Sequence, residues 1–231
     1  MLKQLKEEVF QANIDLLRNN LVTLTWGNVS GMSRKDNYVV IKPSGVDYEL
    51  MKPADMVVVD LSGKRVEGSL RPSSDLPTHL RLYKNFPSIG GIAHAHSMYA
   101  TMFAQASQEI PCYGTTHADH FNGSIPVTRF LTKAEVETHY EENTGAVIIE
   151  RFSSLDPAFM PAVLVAGHAP FTWGMNASDA MKNILILERI AHMALGSMQL
   201  NTNLKSLPFY IQEKHFLRKH GPNAYYGQKK K

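Results

Sequence analysis

Apolar positions along this chain follow two rhythms. Over residues 2–20, Leu5, Val9, Ala12 and Leu16 recur at helical spacing with Glu7, Glu8 and Asp15 between them, which predicts an amphipathic first helix. Short runs rich in Val and Ile predict buried strands at Tyr38–Ile41, 56–59, Gly91–His94, 146–149 and 162–165. Helical patterns lie between them at 77–86, 97–107 and 132–143. The last opens with Thr132-x-x-Glu135, the form of a capping box, and is expected to stop at Gly145. A long amphipathic helix is expected over 178–200 and another over Phe209–His220, ended by Gly221-Pro222.

With 231 residues, 44% of them hydrophobic and 19% charged, the chain can build a sizeable core. No internal repeat, low-complexity stretch or Ser/Gly/Pro linker divides it. The economical reading is one α/β domain over 1–231 with a short tail at 222–231. The single cysteine, Cys112, cannot form an internal disulfide, calls for no thiolate-ligated metal, and points to a cytoplasmic protein. The calculated pI of 8.9 rests on Lys229, Lys230 and Lys231; without them the 24 basic residues become 21, equal to the 21 acidic ones. The neutral body argues against nucleic-acid binding. The acidic first helix is no transit peptide, and Glu188 and Arg189 interrupt the most apolar helix, so no membrane span is expected.

His94 and His96 stand at i and i+2. On a strand, both imidazoles would share one face with their Cα atoms roughly 6.5–7 Å apart, close enough for one ion. His168 follows an apolar strand and a glycine, where a strand end hands a side chain to a cleft. Three imidazoles without a thiolate suit a catalytic Zn²⁺ that keeps a position open, although each histidine is equally an ordinary satisfied polar residue. Three small-residue turns, Thr25-Trp-Gly-Asn28, Lys42-Pro-Ser-Gly45 and Pro72-Ser-Ser-Asp75, offer backbone N–H groups and short donors to a phosphate, with Lys42 adding charge. Each is also plain turn chemistry, and no nucleotide-type GxxxxGK[ST] loop is present. Asp75 and Asp119 are candidate acid–base groups or simple caps. Tyr225 and Tyr226, beyond the last helix, are expected to dock on a neighbouring subunit.

Taken in order, Thr23-Leu-Thr-Trp-Gly-Asn-Val-Ser30, Ile41-Lys-Pro-Ser-Gly-Val46, Arg71-Pro-Ser-Ser-Asp75, Gly90-Gly-Ile-Ala-His-Ala-His-Ser97, Gly114-Thr-Thr-His-Ala-Asp119 and Arg218-Lys-His-Gly-Pro-Asn-Ala-Tyr-Tyr-Gly-Gln228 closely resemble the L-ribulose-5-phosphate 4-epimerases of the class II aldolase/adducin-type family. The ending is nearest in form to the paralogue of L-ascorbate degradation. The resemblance implies a fuculose-phosphate-aldolase-like fold, a central mixed β-sheet flanked by helices, assembled as a homotetramer with active sites between subunits. It implies a Zn²⁺ cofactor on His94, His96 and His168, with Asp75 beside the metal. It further implies a sugar-phosphate pocket from Gly27, Asn28, Lys42, Ser44, Gly45, Ser73, Ser74 and Thr115. Asp119 and Tyr226 match the acid–base pair, the tyrosine coming from an adjacent subunit, and His215 matches a histidine near it.

The implied reaction interconverts L-ribulose 5-phosphate and D-xylulose 5-phosphate by breaking and remaking the C3–C4 bond. Asp75 stands where the fuculose-phosphate aldolases carry Glu, which favours epimerase over aldolase. Two departures stand out: His168-Ala-Pro-Phe171 replaces the usual His-Gly-Pro-Phe, and His120 stands where an aromatic is frequent. The rivals are an aldolase that releases its fragments and a non-catalytic module like the adducin head, which lacks the three histidines.

Overall fold

A computed structural model describes residues 2–226. The first helix, α1 (Lys3–Arg18), leads into an antiparallel ribbon of β1 (Asn28–Ser33), β2 (Tyr38–Ile41), β3 (Val57–Asp60) and β4 (Arg65–Glu67). Helix α2 (Leu76–Asn85) precedes β5 (Gly91–His94), which is followed by α3 (Met98–Gln105), the single-turn α4 (Thr115–Ala118) and α5 (Lys133–Arg151). A hairpin of β6 (Ala162–Leu164) and β7 (Pro170–Gly174) then completes the sheet, before α6 (Ala177–Leu200) and α7 (Phe209–His220). Among the described residues, no helix is long and apolar enough to cross a membrane.

The strands form one sheet in the order β4-β3-β2-β1-β5-β7-β6. All six pairings between these strands are antiparallel, and the parallel element that makes the sheet mixed is the bridge from Val127 to Leu164. Both faces are covered, so the strands read as continuous apolar runs while still alternating in direction. Val40, Val58 and Ala93 meet α1 and the start of α6; Val39, Ile41, Val57, Val59 and Ile92 meet α2, α3 and α5.

One predicted strand is helical. Residues 146–149 lie inside α5, where Val147 and Ile148 are buried on the face turned to the core. A four-residue apolar run does not by itself separate a strand from a buried helical turn. Gly145 does not end the helix: its missing side chain lets α5 approach α2, where an added Cβ would lie 3.0 Å from the Arg81 Cβ. The break falls earlier, at His139, with φ −136° and ψ 70°. The capping box is present, Glu135 N donating to Thr132 Oγ1 and Thr132 N to the Glu135 carboxylate.

Antiparallel register brings the candidate residues to one end of the sheet. Asn28 opens β1 opposite His94, which closes β5, and His94 lies opposite Phe171 at the start of β7. Lys42 follows the end of β2, itself paired to β1. A buried amide on α1 clamps this end: Asn13 donates to Val29 O at 3.0 Å and accepts from Val29 N at 2.8 Å.

At the other end of β5, Gly91 lets the strand pass under α6, and an added Cβ would meet Asn176 O at 2.2 Å and Asn176 C at 2.3 Å. Backbone cannot yield as a flexible side chain does. Gly91→Ala is therefore expected to cost about 3 kcal/mol, lowering the melting temperature by roughly 6–12 °C for a chain of this size, as calorimetry would measure.

Candidate metal and phosphate site

His94, His96 and His168 converge. One ring nitrogen from each lies within 4.8 Å of the others, and the ring centroids are 4.9–5.1 Å apart. Strand β5 ends at His94, so His96 reaches the cluster from the turn before α3 rather than from the strand. Gly27, at φ 77°, lies so close to this turn that an added Cβ would meet His94 O at 2.8 Å.

The pivot of the cluster is the His94 ring. Its Nδ1 donates to Pro170 O at 2.9 Å, leaving Nε2 as the lone pair turned toward the site. The Phe171 ring stacks on it at 4.1 Å and 15°. Burial, reinforced by His94 and then His96, takes the His168 pKa down to about 3; burial and His94 also lower that of His96. Neutral imidazoles with free lone pairs are what a metal requires, and His168 Nδ1 is buried with no partner among the described residues. Nitrogen donors without thiolate fit Zn²⁺ with an open position.

Asp75 lies beside this set. Its Oδ2 is 4.0 Å from His94 Nε2 and accepts from Asn28 Nδ2 at 2.6 Å. It occupies the residue before α2, but among the described residues its side chain makes no capping hydrogen bond there. Burial would raise its carboxyl, yet the imidazoles of His94 and His79, the Asn28 amide and His168 hold it below the usual carboxylate range. Behind it, His79 Nδ1 and the Tyr83 hydroxyl both pair with Ser30 Oγ, at 2.7 and 2.8 Å, in a buried cluster the sequence did not reveal.

The same cavity, about 490 Å³, is lined by all three histidines, Asp75 and all three turns, including Gly27, Asn28, Lys42, Ser44, Gly45, Ser73 and Ser74. Two of the turns are joined by backbone: Ser44 N donates to Arg71 O and Ser73 N to Lys42 O, each at 2.9 Å. Asn28 Nδ2 also donates to Ser73 Oγ at 3.0 Å. Trp26, half exposed, lines the mouth with its ring 6.3 Å from that of His96.

Lys42 is buried, and among the described residues no carboxylate forms an ion pair with it. Its Nζ reaches only Thr25 O and Pro43 O, both at 3.4 Å, and lies 4.7 Å from the Tyr48 ring centre. Burial, partly offset by Asp47, lowers its pKa to about 8. The ammonium is lost as pH rises through that value, whereas a phosphate monoester is a dianion above about pH 6. A simple phosphate monoester such as glycerol phosphate is therefore expected to bind best near pH 7 and to weaken above pH 8, approaching about tenfold per unit. Calorimetric titration across this range should show that slope in the wild type and none in Lys42→Met.

Thr115, Asp119, His215 and Tyr226 are not in this cavity; they gather around α4 and α7. The Asp119 carboxylate accepts from His215 Nδ1 at 3.0 Å and from Arg218 Nε and Nη2 at 3.0 and 2.7 Å, with Lys219 Nζ at 3.6 Å. Burial raises its carboxyl, but the Arg218 and His215 hydrogen bonds and the Lys219 charge bring it lower than an ordinary carboxylate. Arg218 also lies 4.7 Å from the Tyr226 ring centre. Thr115 is exposed, and its carbonyl accepts from Asp119 N at 2.9 Å. Arg218 and Lys219, which organise this cluster, open the C-terminal motif of the sequence, where nothing marks their role. Lys229, Lys230 and Lys231 lie outside the described residues.

Tyr140 was missed too. Its ring is 6.2 Å from that of His168. Burial, then the Asp75 and Glu141 charges, raise its hydroxyl pKa.

Solved structures share this architecture. An L-fuculose 1-phosphate aldolase matches at 26% identity and TM-score 0.77, covering 92% of this chain and 94% of that one. YgbL from Klebsiella pneumoniae matches at 23% and 0.74 over 93% and 99%, and the L-fuculose-1-phosphate aldolase of Thermus thermophilus at 20% and 0.69 over 88% and 100%; at these identities the likeness is one of fold. The model of the class II aldolase and adducin N-terminal domain matches residues 7–195, a span holding the three histidines and all three cavity turns. By that match the chain belongs to the class II aldolase and adducin N-terminal domain family.

Proposed function

We propose that this chain is a zinc-dependent sugar-phosphate 4-epimerase that interconverts L-ribulose 5-phosphate and D-xylulose 5-phosphate. The observation that carries the reading is the shared cavity: three imidazoles able to hold a metal and a buried lysine with no ion pair among the described residues, set among small-residue turns, line one space. A phosphate on the turns leaves the other end of a short sugar at the histidines.

The C4 hydrogen of a 2-ketopentose is not acidified by the C2 carbonyl, so simple deprotonation cannot invert C4, and breaking and remaking the C3–C4 bond can. The C4 hydroxyl gives up its proton, the bonding pair passes to the C1–C3 fragment as an enediolate, and C4 becomes the aldehyde of glycolaldehyde phosphate. When bound, zinc supplies Lewis-acid stabilisation of negative charge at the ketone end. Lys42, Ser44, Gly45, Ser73 and Ser74 keep the aldehyde tethered by its phosphate, so that rotation and re-addition remain effectively unimolecular. Asp119 and Tyr226 handle the C4 oxygen proton on its two faces. Both flank Arg218 within one chain, so a neighbouring subunit that lends the tyrosine lends the aspartate with it.

An aldolase that releases its fragments must protonate the enediolate carbon, whereas an epimerase must leave it free for re-addition. Asp75, one methylene shorter than the aldolases' Glu and tied to Asn28, is held back from that proton transfer. The test is incubation with L-ribulose 5-phosphate with and without a chelator. Chelator-sensitive D-xylulose 5-phosphate without free aldehyde is expected. Released glycolaldehyde phosphate would make the protein an aldolase, and no turnover after zinc loading would leave another sugar phosphate as substrate or a non-catalytic module.

A further inference from the structure

Tyr140 stands at a break in α5 that the fold goes out of its way to hold. At His139 the helix leaves helical geometry, and the disrupted turn is braced by a side chain: Asn143 Nδ2 donates to Glu135 O at 2.9 Å and to Thr138 Oγ1 at 3.3 Å. Below the break, the helix is tied to α2, the element that begins just after Asp75. Thr78 Oγ1 donates to Glu141 O, and Gly145 packs on Arg81. Thr144 Oγ1 donates to the Tyr140 carbonyl at 2.9 Å. These contacts deliver the Tyr140 ring beside His168.

The delivered group has no structural employment. Tyr140 is 37% exposed, and among the described residues its hydroxyl has no hydrogen-bond partner. A kink braced by a side-chain amide costs helical hydrogen bonds, and such departures persist where the surrounding structure over-determines them. Its position also selects an end of the cavity. The phosphate turns form the walls at residues 42–45 and 73–74, whereas Tyr140, outside the lining itself, stands at the histidine end with its ring tilted 6.2 Å from that of His168.

We propose that Tyr140 is a catalytic residue whose hydroxyl donates a hydrogen bond to the ketone end of the substrate, at the oxygens on which negative charge grows as C3–C4 breaks. This rests on the sugar-phosphate reading above. A neutral donor aimed at a developing oxyanion gains strength only as the charge appears, so it acts more on kcat than on KM.

The experiment compares Tyr140→Phe, which removes one exposed hydroxyl, with the wild type, both zinc-loaded. Turnover of L-ribulose 5-phosphate is expected to fall about tenfold to a hundredfold in kcat, with a smaller change in KM. Calorimetry supplies the second reading: glycolohydroxamate, a chelating mimic of an enediolate, should bind about tenfold more weakly to the variant. Zinc content and the affinity for inorganic phosphate should be unchanged. Wild-type kcat and hydroxamate affinity in Tyr140→Phe would overturn the proposal, as would parallel losses of zinc or phosphate binding, which mark a structural role. Should the wild type fail to convert the pentulose while hydroxamate binding still depends on the hydroxyl, the epimerase reading falls and Tyr140 stands.

Discussion

Replacing His96 by Ala is expected to abolish both metal retention and turnover while leaving the fold intact. His96 is an exposed residue outside any strand, and among the described residues its ring contacts are with Trp26, His94 and His168, so no core packing is lost. Two imidazoles then remain where three converged, and an open catalytic site held by two protein ligands binds zinc poorly. Lewis-acid stabilisation is worth several kcal/mol, and about 1.4 kcal/mol is tenfold, so activity should fall on the order of 10³-fold or more. Atomic absorption after dialysis reads the metal and a coupled pentulose assay reads turnover. A His96→Ala protein that keeps one zinc per chain and its activity would remove the triad from the mechanism.

Tyr226→Phe should cost on the order of 10²–10⁴-fold in epimerisation, the range for losing a positioned acid or base, with zinc still bound. Tyr226 is exposed and touches Arg218 and Lys219 by its ring, which Phe preserves; only the hydroxyl goes. Asp119→Asn should lose activity too, but less cleanly, because Arg218 and His215 would lose their charge partner. The His96 and Tyr226 variants can also be mixed. If one subunit's Tyr226 serves its neighbour's histidines, co-expressed His96→Ala and Tyr226→Phe chains form some sites with both groups intact, and activity returns. Hybrids as inactive as their parents would separate the Asp119 cluster from the cavity.

The legible parts of this molecule are those where local pattern and final structure obey one rule. The capping box at Thr132 and Glu135 formed because both halves lie within one turn, and Phe209–His220 is a helix over the residues its pattern marks. Strand β7, Pro170-Phe-Thr-Trp-Gly174, was not read, since it opens on proline and ends on glycine and is a strand only because β5 and β6 flank it. The run at 146–149 was misread for the converse reason: its helical state comes from packing on α2. At the site, ligand types and turns were visible as residues, and the shared cavity depended on sheet register. Tyr140 carried no signal at all, because His139 is no helix breaker and the kink is enforced by Asn143, four positions downstream.

The joining of the turns at residues 42–45 and 71–75 has an evolutionary side. Ser44 and Ser73 each spend their amide on the other turn's chain, so neither loop can be lengthened, shortened or reshaped without displacing its counterpart. Asn28, which reaches both Ser73 and Asp75, carries any such displacement to the carboxylate beside His94. A lineage changing its choice of sugar under this constraint keeps the phosphate grip as a single heritable cassette. Variation is left to the parts not stitched into it, such as the Trp26 rim, the α5 break and whatever a neighbouring chain brings to the opening.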